Sequence, residues 1–166
     1  MAREHTQVLR NLALRVFDDA GRPLRRIHAR RHVYSDQDGR GHRLSTNMER
    51  VLIITTQGTD ANAPIDLEDV ENLIFAAPRQ PGRLDEIDVY LIPTKRIAED
   101  ARQDHRHFLE QRTTKGHNTT WQQRFDTTDN LCGGYSSKYA GFLIATVTES
   151  CLQAARSVEA TGAGRR

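Results

Sequence analysis

Asn72-Leu-Ile-Phe-Ala-Ala77 and Ile87-Asp-Val-Tyr-Leu-Ile92 decide the fold class of this chain. The first is an unbroken apolar run ended by Pro78, and the second alternates until Pro93 stops it, so both read as β-strands. Arg79-Gln-Pro-Gly-Arg83 between them reads as a turn. Upstream, Val51-Leu-Ile-Ile-Thr-Thr56 is a β-branched run of the kind buried in sheets, and it overrides the capping-box spacing of Thr46-Asn-Met-Glu49. Residues Gly58 to Pro64 read as loop and Leu67–Glu71 as one helical turn. Connections this short leave no room for crossover helices, which predicts a three-stranded meander.

Helices are expected on either side of these strands. Val8, Leu9, Leu12, Val16 and Phe17 form an apolar stripe on a helix from Thr6 to Asp19, with Thr6 as cap and Gly21 closing it. Pro23 suits the first turn of a second helix, Leu24 to about His32. Asp36-Gln-Asp-Gly-Arg-Gly41 is a turn by composition. Thr94 can cap a third helix with Ile97, Ala98, Ala101, Phe108 and Leu109 inward, and Trp121 to Phe125 reads as a short strand. A terminal helix is expected from Ser137 to Val158, with Tyr139, Phe142, Leu143, Val147, Cys151 and Ala154 on one face. The expected class is therefore α/β (α+β): a small mixed or antiparallel central sheet flanked by helices. One domain spans residues 1–160, and 161–166 form a flexible tail.

Composition limits the function. With 37% apolar and 28% charged residues, the chain of 166 residues is polar yet able to bury a core. No apolar run approaches a membrane span, and the N-terminus lacks a signal core, so no membrane or export is expected. Two cysteines, Cys132 and Cys151, are too few for a disulfide framework, which predicts a reduced, cytoplasmic setting. The net charge of +2 hides an asymmetry: residues 1–50 carry 11 Arg against 6 acids, whereas residues 51–110 carry 6 basic groups against 12 acids. That distribution permits a phosphate-facing end and an acidic belt. Arg outnumbers Lys 21 to 3, which suits bidentate phosphate contacts, although a GC-rich genome produces the same bias.

The motif search is mostly negative. His28 and His32 have a metal-ligand spacing on a helix, but no Glu between them and no third ligand. His105 and His107, two apart, point away from each other on a helix. Asp36, Asp38 and Gly41 imitate the opening of a calcium loop, yet Arg40 and Asn47 stand where oxygen ligands are needed, so no metal site is read. Cys132 has no evident base, and Cys151 falls on an apolar face. No phosphate-cradling glycine loop, dinucleotide fingerprint or nucleophile elbow is present. The densest charge cluster is Arg22, Arg25, Arg26, Arg30 and Arg31, a candidate nucleic-acid-binding helix face. Only Tyr34 is nearby for stacking, so single-strand binding by stacking is not supported.

The stretch Asp88-Val-Tyr-Leu-Ile-Pro-Thr94, the helix with His105 and Phe108-Leu109, then Lys115-Gly-His117, Tyr135 and Tyr139-Ala-Gly-Phe-Leu143 resembles a family pattern. It is similar to small bacterial restriction-endonuclease-like proteins of the PD-(D/E)XK nuclease superfamily, over roughly residues 72–145. The resemblance implies a restriction-endonuclease-like fold with a metal-binding acid and a lysine on the central strands just upstream. Val51-Leu-Ile-Ile-Thr-Thr56 stands in that place with neither. The leading expectation is a nucleic-acid-associated protein, binding DNA or RNA, with a degenerate, inactive site. A magnesium- or manganese-dependent nuclease with a migrated site at Asp36, Asp38 or Glu49 is one alternative. The other is a protein-interaction module, a subunit or inhibitor, whose Asp66, Glu68, Asp69 and Glu71 dock a basic partner. Small residues of the terminal helix, Ala140, Gly141, Ala145, Ala154 and Ala155, would also let a second copy approach in a homodimer.

Overall fold

The computed structural model describes residues 2–28, 31–55, 69–110, 120–125 and 138–148. The chain runs α1 (Ala2–Asp19), β1 (Arg25–His28), β2 (Val33–Ser35), β3 (Gly41–Thr46), β4 (Val51–Thr55), β5 (Asn72–Pro78) and β6 (Glu86–Pro93). It continues through α2 (Thr94–Glu110), β7 (Thr120–Arg124), a 3-10 turn (Ala140–Phe142) and β8 (Leu143–Thr148). Six strands form a mixed sheet in the order β1-β2-β3-β5-β6-β8, and β4 pairs with β7 in a separate two-stranded sheet. β3 and β5 are parallel; every other pair is antiparallel. The α+β class and a mixed central sheet flanked by helices are thus what the fold shows.

The strand pair that decides the class behaves as its pattern predicts. β5 is buried on both faces, which explains its unbroken apolar run. Its side chains alternate between two cores. Leu73, Phe75 and Ala77 meet Ile97, Ala98 and Ala101 of α2 and Leu52, Ile54 and Trp121 of the small sheet. Ile74 and Ala76 face Ala13 and Phe17 of α1. Three layers result, with α1 on one face of the central sheet and α2 with the small sheet on the other. Among the described residues no helix is long and apolar enough to cross a membrane.

Four expectations are corrected. The meander fails because β4 leaves the central sheet, and β5 takes β3 as its parallel neighbour instead. β4 is also only half-buried: Leu52 and Ile54 point inward while Ile53 is exposed. The second helix is a hairpin, with Arg25 opposite Ser35 and Arg26 opposite Tyr34. A helix so short is marginal, and crowded arginines oppose it further, whereas pairing with β2 supplies ladder bonds. The expected terminal helix is a strand over Leu143–Thr148, where Ile144, Thr146, Val147 and Thr148 favour the pleat and pair with β6. Ala140 and Gly141 therefore lie in the short 3-10 turn and Ala145 on β8, none of them on an α-helix, which removes that argument for a homodimer from the described residues. Cys132, Cys151, Ala154, Ala155 and the 161–166 tail lie outside the described residues.

Smaller revisions follow local chemistry. α1 starts at Ala2, so Thr6 lies inside it, while Gly21 closes it at φ 69 with Arg22 N–H donating to Phe17 O at 2.9 Å. The Thr94 hydroxyl donates back to the carbonyls of Val70 and Glu71, joining the start of α2 to the loop before β5. Asp69–Glu71 form no helical turn, and residues 56–68 fall outside the described residues. At Thr46–Glu49 the capping residue is Asn47, whose side-chain oxygen accepts from the Glu49 and Val51 amides and turns the chain into β4.

That turn delivers Arg50, the largest fully buried side chain among the described residues. Its backbone sits at φ 59, a left-handed conformation that a non-glycine residue adopts only when its surroundings hold it. Arg50 Nη1 donates to Asp88 Oδ2 and to the Pro78 carbonyl, both at 2.8 Å, and Nη2 donates to the Tyr90 hydroxyl at 2.7 Å. Its Nε donates to the Phe125 carbonyl, and the Phe125 amide donates back to Arg50 O at 2.9 Å. Thr146 Oγ1 donates to the other carboxylate oxygen of Asp88 at 2.9 Å. One guanidinium thereby ties β4, β5, β6 and the end of β7 together, and its partner Asp88 reaches β8. Replacing Arg50 by Met strands Asp88 as a buried charge and should cost about 3–5 kcal/mol in urea unfolding. Adding Asp88→Leu should recover a large part of that loss, and a double mutant no more stable than Arg50→Met would contradict the pairing.

Candidate nucleic-acid interface

Among the described residues β1 is the outermost strand of the central sheet on one side, and all four of its residues are exposed. Arg25, Arg26 and His28 therefore line an edge, with Ile27 60% exposed between them. Arg22 is exposed in the segment leading into β1. By register Arg26 sits opposite Tyr34, on the α1 face of the sheet, while Arg25 opposite Ser35 belongs to the other face. The candidate arginines thus surround a sheet edge and do not share a helix face. Arg30 lies outside the described residues. Arg31 faces the chain's own acid: its two terminal nitrogens donate to Asp69 at 2.6 and 3.3 Å.

Two basic residues absent from the sequence candidates join this edge. Arg10 reaches it from α1, and its Nη1 donates to Gln7 at 2.8 Å. Arg43 lies on β3 opposite Val33. His32, in the turn between β1 and β2, sits 3.0 Å from Arg26 through its Nδ1. Burial foremost, then Arg10, Arg26 and Arg43, hold the His32 imidazole below the ordinary histidine value. Burial likewise lowers Arg10, and Arg26 adds to that lowering. Sequence spacing carries no sign of this grouping, since Arg10 on α1 and Arg43 on β3 act on His32 only once their elements have packed.

The helical spacing of His28 and His32 is also lost in the hairpin. His28 ends β1, where its Nδ1 accepts from the Arg31 amide at 3.2 Å, while His32 turns to Arg26. The migrated acidic site is not assembled either. Asp36 closes the β2–β3 turn, accepting from the Asp38 and Arg40 amides and lying 3.0 Å from His42 Nε2. Asp38 is on the surface beside Arg40 at 4.0 Å. Glu49 is exposed beyond the far end of β3, about 20 Å away at the rise of an extended strand. Among the described residues no three His, Cys, Asp or Glu side chains come together as metal ligands would. Asp88, the first residue of the family-like stretch, is held by Arg50, and β4 runs outside the central sheet.

The acidic belt is partly answered within the chain. Asp69 pairs with Arg31, and Glu71 approaches Arg40 at 3.9 Å. Asp66 and Glu68 lie outside the described residues. On α2, Asp100 accepts from the Tyr139 hydroxyl at 2.6 Å and from Arg96 at 3.2 Å, with Lys138 at 3.4 Å. Burial, then the bond to Asp100, pushes the Tyr139 hydroxyl up. This group fastens α2 to the segment before β8.

Compared with protein-family models, curated proteins and solved structures, the chain finds no significant match in any of the three.

The Asp36 turn gives a pH signature. The bond to His42, supported by the turn amides, holds the Asp36 carboxyl below its ordinary value of 3.8. A depressed carboxylate stabilises the fold above its unfolded-state pKa and loses that contribution as pH falls through the lower folded value. Urea midpoints measured from about pH 5 down to about pH 2 should fall less steeply in Asp36→Asn than in the parent. Parallel curves would show that the turn carboxylate contributes nothing to the acid limb.

Proposed function

We propose that the protein binds nucleic acid, gripping the phosphate backbone with the basic sheet edge and leaving it uncut. A restriction-endonuclease-like relation, with a site that has lost its acid and lysine, belongs to the same proposal. The observation that carries the reading is the exposure of β1 along its whole length, which presents Arg25, Arg26 and His28 at the sheet's border. Arg22, exposed just ahead of β1, adds to this positive surface, and half-buried Arg10 on α1 acts on Arg26 and His32 beside it. Arginine recognises phosphate through a planar fork, and such contacts supply most sequence-independent affinity. Arg31 is left out of this role because Asp69 occupies it. The scattered positions of Asp36, Asp38 and Glu49 speak against magnesium- or manganese-dependent cleavage by those residues. A cytoplasmic setting fits this ligand and the low cysteine content.

Charged side chains on an edge strand also block unwanted strand pairing, which is the rival explanation of the same arginines. Fluorescence anisotropy with labelled DNA and RNA separates the two. Phosphate binding predicts affinity that falls as salt rises, with a log–log slope reduced by about 2 in the double variant Arg25→Ala, Arg26→Ala. An unchanged slope in a folded double variant, or no affinity at low salt, contradicts the proposal.

A further inference from the structure

We propose that Arg10, Arg26 and His32 form a seat for a single phosphate group of the bound nucleic acid. The inference rests on the reading above and narrows it from a charged edge to one built subsite. Arg26 Nη2 and His32 Nδ1 lie 3.0 Å apart. A guanidinium has no acceptor, so Arg26 donates and His32 Nδ1 holds a lone pair, which leaves the ring neutral with its hydrogen on Nε2. A neutral ring steadies the guanidinium without opposing its charge.

Arg10 supplies the second fork. Its Nε is buried and has no hydrogen-bond partner among the described residues, although Nη1 donates to Gln7. A buried donor left unmade is costly, and an oxyanion oxygen is the acceptor that relieves it best. His32 itself sits at φ 50 in the turn, a left-handed conformation that histidine adopts more readily than most residues. The Leu44 amide secures it by donating to His32 O at 3.0 Å.

The charged groups facing His32 come from each neighbouring element: Arg10 on α1, Arg26 on β1 and Arg43 on β3. Tyr34 on β2 acts on Arg10, and Arg31 in the same turn is engaged by Asp69. Burial and the three arginines lower the pKa of His32 in the empty seat. A phosphate brings the opposite charge. A solvent proton then adds to Nδ1, which becomes a donor, and Arg26 turns its N–H from the ring to the phosphate. No covalent bond is made or broken.

The empty seat titrates below the ordinary histidine value of 6.5, and the occupied seat titrates higher. Affinity is therefore flat above the higher value, tightens as pH falls between the two, and levels off below the lower one. His32→Asn is the informative variant, because asparagine tolerates a left-handed backbone and accepts from Arg26 but does not titrate.

The experiment measures anisotropy of a labelled DNA duplex at constant ionic strength from about pH 8 to about pH 6, where each unit of pKa rise appears as about a tenfold tightening. The parent should tighten, His32→Asn should stay flat, and Arg25→Ala should bind more weakly while keeping the parent's pH response. In parallel, NMR follows the His32 imidazole against inorganic phosphate and against the duplex, and its pKa should rise with each. Equal pH responses in the parent and His32→Asn would overturn the seat while leaving the charged edge standing. A His32 pKa raised by inorganic phosphate, without duplex binding, would keep the seat for free phosphate and overturn the nucleic-acid reading. A His32 pKa unmoved by either would overturn the seat, whatever the edge binds.

Discussion

The Arg50–Asp88 pair is the constraint around which the described part of the fold is arranged. Asp88 accepts from Arg50 with one oxygen and from Thr146 with the other, while Arg50 also serves two carbonyls and the Tyr90 hydroxyl. Burying two charges is expensive, and attraction between them offsets the cost only when the remaining donors and acceptors are also met. Here most of them are. The pair specifies an arrangement more than it adds stability. An apolar pair would fill the same space, but it would not fix where β4 leaves the central sheet or where β7 ends. Burial also pushes the neighbouring Tyr90 phenol up, so it stays a neutral member of the network.

With that centre in place, charge separates by position. The buried pair joins β4 to β6 and β8, on one side of the sheet, and the basic edge is β1 on the other. β1 and β6 are four strand spacings apart, or about 19 Å. Arginines near the acidic loops pair with Asp69 and Glu71, whereas those at β1 border the sheet. A chain with a net charge of only +2 thus presents a local positive surface. The order of the strands produces it, because the arginine-rich segment folds as the outermost strand.

How much of this was legible in the sequence depended on whether local pattern and tertiary context agreed. Residues 72–92 read correctly because proline stops, an apolar run and an alternating run all point to strands, and burial on both faces of β5 reinforces them. Gly21, Asn47 and the Asp36 turn act through short-range chemistry, although the cap at Asn47 follows neither the capping-box spacing of Thr46 and Glu49 nor the strand pattern after it. Residues 25–28 and 143–148 read as helix and fold as strand for a common reason. Apolar spacing in a short window suits either period, and the outcome was set by a partner strand distant in sequence, β6 for β8, or by a hairpin for β1. The seat at His32 was invisible because Arg10 comes from α1, without sequence proximity to the arginine cluster. Arg50 gave no signal either; it resembles any surface arginine until β5, β6 and β7 close over it.

The β1 border is the proposed docking site for nucleic acid. Backbone amide chemical-shift mapping of the labelled protein, titrated with a DNA duplex at low salt, tests it most directly. Shifts should concentrate at Arg22 to His28, at Arg31 to Tyr34, around Arg10 in the middle of α1 and at Arg43. Those of β6 and β8 should stay still. Shifts centred on β8 or on the exposed face of β4 and β7, or no shifts at all, would contradict it.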